Sequence, residues 1–90
     1  PVGVDVEVVR SAQEKFMRRV CSQQEMACIR PGDDGDCRRF WEIWTAKEAL
    51  FKLTGKGPLL KLSRFALPER VALDYMEKNG CALTVAAEIL

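Results

Sequence analysis

The sequence contains no histidine. A general base in this chain must therefore be a carboxylate, a lysine, a tyrosine or a thiol. Its four cysteines, Cys21, Cys28, Cys37 and Cys81, form neither a CxxC pair nor a zinc spacing. Asp5, Glu7 and Arg10 interrupt any apolar stretch at the start, so no secretory signal is visible, and the cysteines read as reduced structural thiols of a cytoplasmic protein. No apolar run reaches the ~18 residues that a membrane-spanning helix needs. Neither charge dominates. Fourteen basic residues against thirteen acidic ones leave a net charge of +1, which argues against a dedicated nucleic-acid binder. Repeats and low-complexity segments are also missing. What remains, 48% hydrophobic and 30% charged, is the composition of one small globular domain spanning 1–90.

The pattern along the chain predicts an α+β layout. Val2 to Val9 alternates with period two and is rich in valine, a strand signal that puts Asp5 and Glu7 on one face, roughly 7 Å apart. Ser11 and Glu14 make a capping box for a helix that carries Phe16, Met17 and Val20 inward and ends near Cys21. Ser22 and Glu25 repeat the signature for a second short helix through about Ile29. Arg30 to Asp36 is a loop by composition. The longest helix runs from about Cys37 to Thr54, with Gly55 at its end. Phe65 to Leu67 is a candidate short strand. Val71 to Glu77 and Cys81 to Ala87 form a terminal hairpin around Lys78-Asn79-Gly80, since Asn-Gly favours a tight turn. The expected architecture is a small sheet packed on the long helix.

That helix poses a problem. Phe40, Ile43, Trp44, Leu50 and Phe51 fall on one stripe, and Lys47 falls in its middle. An ammonium buried alone is costly. Either its head snorkels past the core, or the stripe opens onto negative charge from Asp5 and Glu7 or from a phosphorylated ligand. Asp5 and Glu7 could equally be the solvent side of an edge strand, and Glu48 with Lys52 could be an ordinary i, i+4 surface pair. Taken together, three carboxylates from two rigid elements make a hard oxygen-rich site suited to Mg²⁺. Lys52 would bring charge to a phosphate, and Gly55-Lys56-Gly57 would let backbone approach it. The spacing is not that of a P-loop. Acids, lysines and glycines suggest transfer or cleavage at a pyrophosphate.

Gly3-Val4-Asp5-Val6-Glu7, followed by Trp44-Thr45-Ala46-Lys47-Glu48-Ala49-Leu50-Phe51-Lys52, resembles the paired signature motifs of the 4′-phosphopantetheinyl transferases. Gly55-Lys56-Gly57 matches the glycine turn that follows them. The resemblance covers Val2 to about Leu59, and the terminal hairpin fits the family topology. It implies transfer of the phosphopantetheine arm of coenzyme A to a serine of an acyl or peptidyl carrier protein, releasing adenosine 3′,5′-bisphosphate. By the same resemblance Asp5, Glu7 and Glu48 match the Mg²⁺ ligands. Glu48 is the candidate base, and Lys52 matches the lysine that binds the phosphates. Lys47 matches the lysine before that glutamate, which would open the stripe to the site.

The motifs look most like the second half of the two-part surfactin-synthetase-activating class. The first half, which serves the adenine end and often supplies a histidine, has no counterpart here. A site assembled between subunits, a domain cut from a longer protein, and a half-length relative with impaired activity all fit that departure. A homo-oligomer, dimer or trimer, is expected, because so small a half-domain leaves an apolar side uncovered. Carrier proteins are acidic, so Arg10, Phe16, Arg18 and Arg19 are candidates for docking one, against the plain alternative of a solvated helix face. A non-catalytic module that binds coenzyme A or a carrier protein is the main alternative function, and another kind of phosphate- or nucleotide-binding domain is a third.

Overall fold

The computed structural model describes residues 1–29, 37–55, 62–63, 67 and 69–89. In chain order these form β1 (Val2–Val8), α1 (Glu14–Val20), α2 (Gln23–Met26), α3 (Arg38–Thr54), β2 (Val71–Lys78) and β3 (Cys81–Glu88). The fold is α+β. Its antiparallel sheet has the order β1-β3-β2, so the last strand lies in the centre. The β2–β3 hairpin turns at Asn79 and Gly80, whose φ angles of 54° and 74° are the pair of positive values that a type I′ turn requires. Val2 pairs with Ala87 and Val8 with Cys81, which brings β1 home beside β3.

α3 crosses one face of this sheet and sits close to it. The inward face of β3 is small, with Ala82, Thr84 and Ala86 all buried. On β1 the contact is closer still. A Cβ added to Gly3 would lie 2.0 Å from the Ala49 carbonyl oxygen and 2.7 Å from the Leu53 nitrogen. Helix backbone thus rests on strand backbone at Gly3. Apolar packing divides in two. One cluster gathers Met17, Val20, Phe40, Trp41 and Ala82 under α1. The other gathers Ala49, Leu50 and Ala86. A polar tie joins α3 to the sheet, because Thr45 Oγ1 lies 2.7 Å from Thr84 Oγ1 and also bonds the Trp41 carbonyl.

β1 is turned the unexpected way for an amphipathic strand. Gly3 and Asp5 face the helix, while Val2, Val4, Val6 and Val8 are 63%, 41%, 56% and 58% exposed. The register places Cys81, Leu83, Val85 and Ala87 of β3 on that same outer face. Among the described residues, α3 covers one side of the sheet and no element covers its valine side.

Three expectations need correction. The Ser11–Glu14 capping box does not form. α1 begins at Glu14 with Gln13 as its cap, so Glu14 stands at the first helical position instead of the third and pairs with Arg18 at 3.0 Å. Phe16 does not point into the core. It is 40% exposed and lies against Phe40 and Trp44, while Met17 and Val20 are buried. Phe51, assigned to the apolar stripe of α3, is also exposed. The Ser22–Glu25 box forms as its sequence indicates. The four cysteines are free thiols. The expected strand at 65–67 lies largely outside the described residues, and Leu67 itself is not in a strand.

Candidate active site

The close seat at Gly3 sets the last two turns of α3 beside the middle of β1. Asp5 is 7% exposed and projects toward the helix. Lys52 Nζ donates to Asp5 Oδ1 at 3.0 Å and to the Val4 carbonyl at 3.0 Å. Lys52 thus pairs across to the strand instead of closing a surface bridge with Glu48, its neighbour one turn back. Asp5 Oδ2 is buried and has no hydrogen-bond partner among the described residues. Burial pushes the Asp5 carboxyl above the ordinary carboxylate range. The bond and charge of Lys52 oppose that rise, and Glu7 adds to it.

Glu7 lies two residues on, along the same face. The Trp44 indole donates to its Oε1 at 3.2 Å, and Arg10 stands 3.6 Å from its Oε2. Glu48 completes the group from the helix. Its carboxyl is also raised, first by burial, then by the charge of Asp5, with Lys52 opposing and Glu7 adding. The three acids thus share one electrostatic field around Lys52. They are not drawn into a ready-made ligand shell: among the described residues no three acids or cysteines stand close enough to hold an ion.

Lys47 is the clearest departure from expectation. It does not open toward Asp5 and Glu7. Its ammonium is 2.8 Å from Glu25 Oε1, with the two side chains 1% and 0% exposed, and it donates to the Leu62 carbonyl at 2.7 Å. The apolar stripe tolerates the charge because α2 delivers a carboxylate from behind. Glu25 Oε1 also accepts the Ser22 N–H at 2.7 Å, so one oxygen closes the capping box and neutralises Lys47. Nearby, burial and then Glu25 push the Cys21 thiol up to about 11, against the pull of Lys47. This leaves Cys21 a protonated, structural thiol at neutral pH.

The remaining residues divide as follows. Gly55 caps α3 with φ 64° and returns its N–H to the Phe51 carbonyl. A Cβ there would meet nothing, so the glycine serves the backbone angle. Lys56 and Gly57 lie outside the described residues. Arg10 is committed within the fold: its guanidinium lies 3.9 Å from the Trp41 ring centre and bonds the Val8 carbonyl. Arg18 pairs with Glu14 in its own helix, but both stay well exposed and share the open face of α1 with Lys15, Phe16 and Arg19. Sequence reasoning missed Glu25 as the partner of Lys47, Gly3 as the seat of α3, and the Thr45–Thr84 tie. It also missed the Trp44 bond to Glu7.

A strand acid pair joined by a helix lysine is the arrangement on which the comparisons with known proteins bear. The family model described as the 4′-phosphopantetheinyl transferase superfamily matches residues 1–84, which include β1, α3 and the first half of β3. The chain belongs to that superfamily. It is similar to the 4′-phosphopantetheinyl transferase Sfp of Bacillus subtilis (strain 168), at 29% identity over 68 residues, covering 74% of this chain and 30% of Sfp. It is also similar to the 4′-phosphopantetheinyl transferase psf-1 of Bacillus pumilus, at 34% identity over 67 residues, covering 72% of this chain and 28% of psf-1. The superfamily chain therefore spans less than a third of the length of these relatives. No solved structure matches it. Among the described residues, no helix is long and apolar enough to cross a membrane.

Proposed function

We propose that this chain takes part in Mg²⁺-dependent transfer of 4′-phosphopantetheine from coenzyme A to a serine of an acyl or peptidyl carrier protein. The observation that carries this reading is the Lys52 ammonium bonded to Asp5 between β1 and α3, with Glu48 in the electrostatic field of both. Membership of the superfamily and the two similar transferases support it. The donor set suits Mg²⁺. It consists of carboxylate oxygens, one of them the buried and unpartnered Oδ2 of Asp5, and a cation already stands on Asp5 Oδ1. Asp5, Glu7 and Glu48 would hold the ion, which when bound neutralises charge on the pyrophosphate.

The chain's own groups would then do the following. Glu48, whose raised affinity for protons makes it a better base than an ordinary carboxylate, accepts the serine proton directly or through a water. The serine oxygen bonds to the phosphorus that carries the pantetheine arm. The bond from that phosphorus to the bridging oxygen breaks, and adenosine 3′,5′-bisphosphate leaves with the charge. Lys52, with Lys56, Gly55 and Gly57, holds the phosphates and offsets charge as it develops. Trp44 fixes Glu7 by its indole N–H. Arg19 and the exposed part of Phe16 offer an acidic carrier protein a basic and apolar edge. Lys47 is left to Glu25 and has no phosphate in this scheme.

The bare valine face supports self-association, either of two or three copies or with a further half-domain, and the free thiols suit the cytoplasm. A binding-only role is the second reading. It is favoured by acids that are near one another without forming a ligand shell. One assay separates them: intact mass of an apo carrier protein after incubation with this chain, Mg²⁺ and coenzyme A. Gain of one phosphopantetheine, abolished by EDTA and by Glu48→Gln, is the expected result. No gain on any of several carrier proteins, with coenzyme A still bound, would establish the second reading.

A further inference from the structure

We propose that Lys52 is a resident counter-cation for Asp5 that yields its place to the divalent ion and turns to the substrate's phosphates. The inference rests on the Mg²⁺ reading above and adds an exchange step to it. Lys52 Nζ makes two oxygen contacts on β1, with Asp5 Oδ1 and the Val4 carbonyl, each 3.0 Å long. It therefore stands where a metal held by Asp5 must come close. The two partners differ in freedom. The Asp5 side chain is 9% exposed and fixed in the strand, whereas the Lys52 side chain is 49% exposed on the last turn of α3. The lysine can swing toward solvent by giving up its two bonds to β1, and the carboxylate cannot follow it.

An ammonium and a divalent ion cannot both stay on one carboxylate without repulsion. At the ~4 Å separation that sharing Asp5 imposes, a single and a double positive charge repel enough, even in a water-like medium, to weaken metal binding by about thirtyfold. Removing the lysine relieves that repulsion. A phosphate that receives the displaced ammonium relieves it too, so metal and phosphate each favour the other through one side chain. Asp5 is half-bonded, with Oδ1 on Lys52 and Oδ2 buried without a hydrogen-bond partner, so one carboxylate oxygen is uncommitted before the lysine leaves.

The test uses Mg²⁺ alone, without coenzyme A, titrated calorimetrically into the metal-free wild-type chain and its Lys52→Gln and Lys52→Arg variants. The pH is held where both carboxylates are ionised. Lys52→Gln is expected to bind Mg²⁺ more tightly than wild type, by up to about thirtyfold, and Lys52→Arg to stay near wild type. A second readout is the rate at which Lys52 is acetylated by a water-soluble reagent, which should rise when Mg²⁺ saturates the protein. Equal or weaker Mg²⁺ binding by Lys52→Gln, in a variant whose circular dichroism matches wild type, would overturn the exchange. So would an acetylation rate that Mg²⁺ leaves unchanged. If no variant binds Mg²⁺, the metal reading itself falls, an outcome that the EDTA arm of the carrier-protein assay checks independently.

Discussion

Glu25 Oε1 holds the Lys47 ammonium at 2.8 Å in a place from which solvent is shut out on both sides. The pair pins α2 to the middle of α3. Its net worth is set by desolvation, and breaking it is a different matter from replacing it. Glu25→Ala strands a buried ammonium and is expected to destabilise the fold by about 3–5 kcal/mol in urea unfolding. Replacing both partners by apolar residues, Glu25→Leu with Lys47→Met, should recover most of that loss. A double variant as unstable as Glu25→Ala would mean that the charges themselves, and not their pairing, are needed.

Gly3 carries a prediction of another kind. Gly3→Ala puts a methyl group 2.0 Å from the Ala49 carbonyl, and neither backbone can yield without moving α3 off β1. The expected cost is about 3 kcal/mol, at the upper end of the usual overpacking range. Gly55→Ala meets only the strain of φ 64° in open space and should cost about 1 kcal/mol. Denaturant midpoints of the two variants, measured side by side, check the ordering. Heteronuclear NMR should also show Lys52 signals displaced in Gly3→Ala and not in Gly55→Ala.

The sequence made some of this legible and hid some of it, for physical reasons. Period-two alternation identified β1, and Asn79-Gly80 located the hairpin turn, because both signals are local. Which face of β1 turns inward is not a local property. Valine outside and Gly-Asp-Glu inside runs against hydrophobic sorting. It is decided by helix backbone needing Gly3, and by Lys52 and Trp44 meeting the acids. Lys47 could be seen to be buried. Its partner could not be found, because Glu25 already had a complete account as a capping-box residue, and one oxygen serves both purposes. The grouping of Asp5, Glu7, Glu48 and Lys52 was legible in residue type and spacing, to which the motif resemblance added; Lys52 bonds Asp5, whereas Lys47 is held by Glu25. Lys56 and Gly57 lie beyond the described residues.

The acids should also register in the pH dependence of stability. Burial raises Asp5, and burial with Asp5 raises Glu48, so the native state holds these protons more tightly than the unfolded chain does. Where the native state binds more protons, stability falls as pH rises. The loss should begin near pH 4, where unfolded carboxylates ionise, and be complete once pH has passed the raised native values. Asp5→Asn and Glu48→Gln should each flatten that decline when unfolding free energy is followed from pH 4 to pH 7. A steeper decline in either variant would reverse the assigned direction.

The valine face makes a prediction about assembly. Val4→Lys with Val6→Lys places charge on side chains that touch no core, so the folded monomer should keep its far-ultraviolet signal. Sedimentation equilibrium should show the wild-type chain associating with concentration and the double variant shifted toward monomer. A wild-type chain that stays monomeric at high concentration would mean that the face is covered by something other than its own kind.

The strand order has a consequence for how the site comes into being. β1 precedes the other described elements and, among the described residues, finds its sheet partner in β3, with Val2 opposite Ala87. Asp5 and Lys52 are likewise 47 residues apart along the chain. Closing such long loops comes late and slowly in folding. During synthesis the acid strand must therefore wait for β3 until the hairpin has left the ribosome. The site forms with the final closure of the sheet, so no shorter nascent piece of this domain can hold Asp5 against Lys52 in its native place.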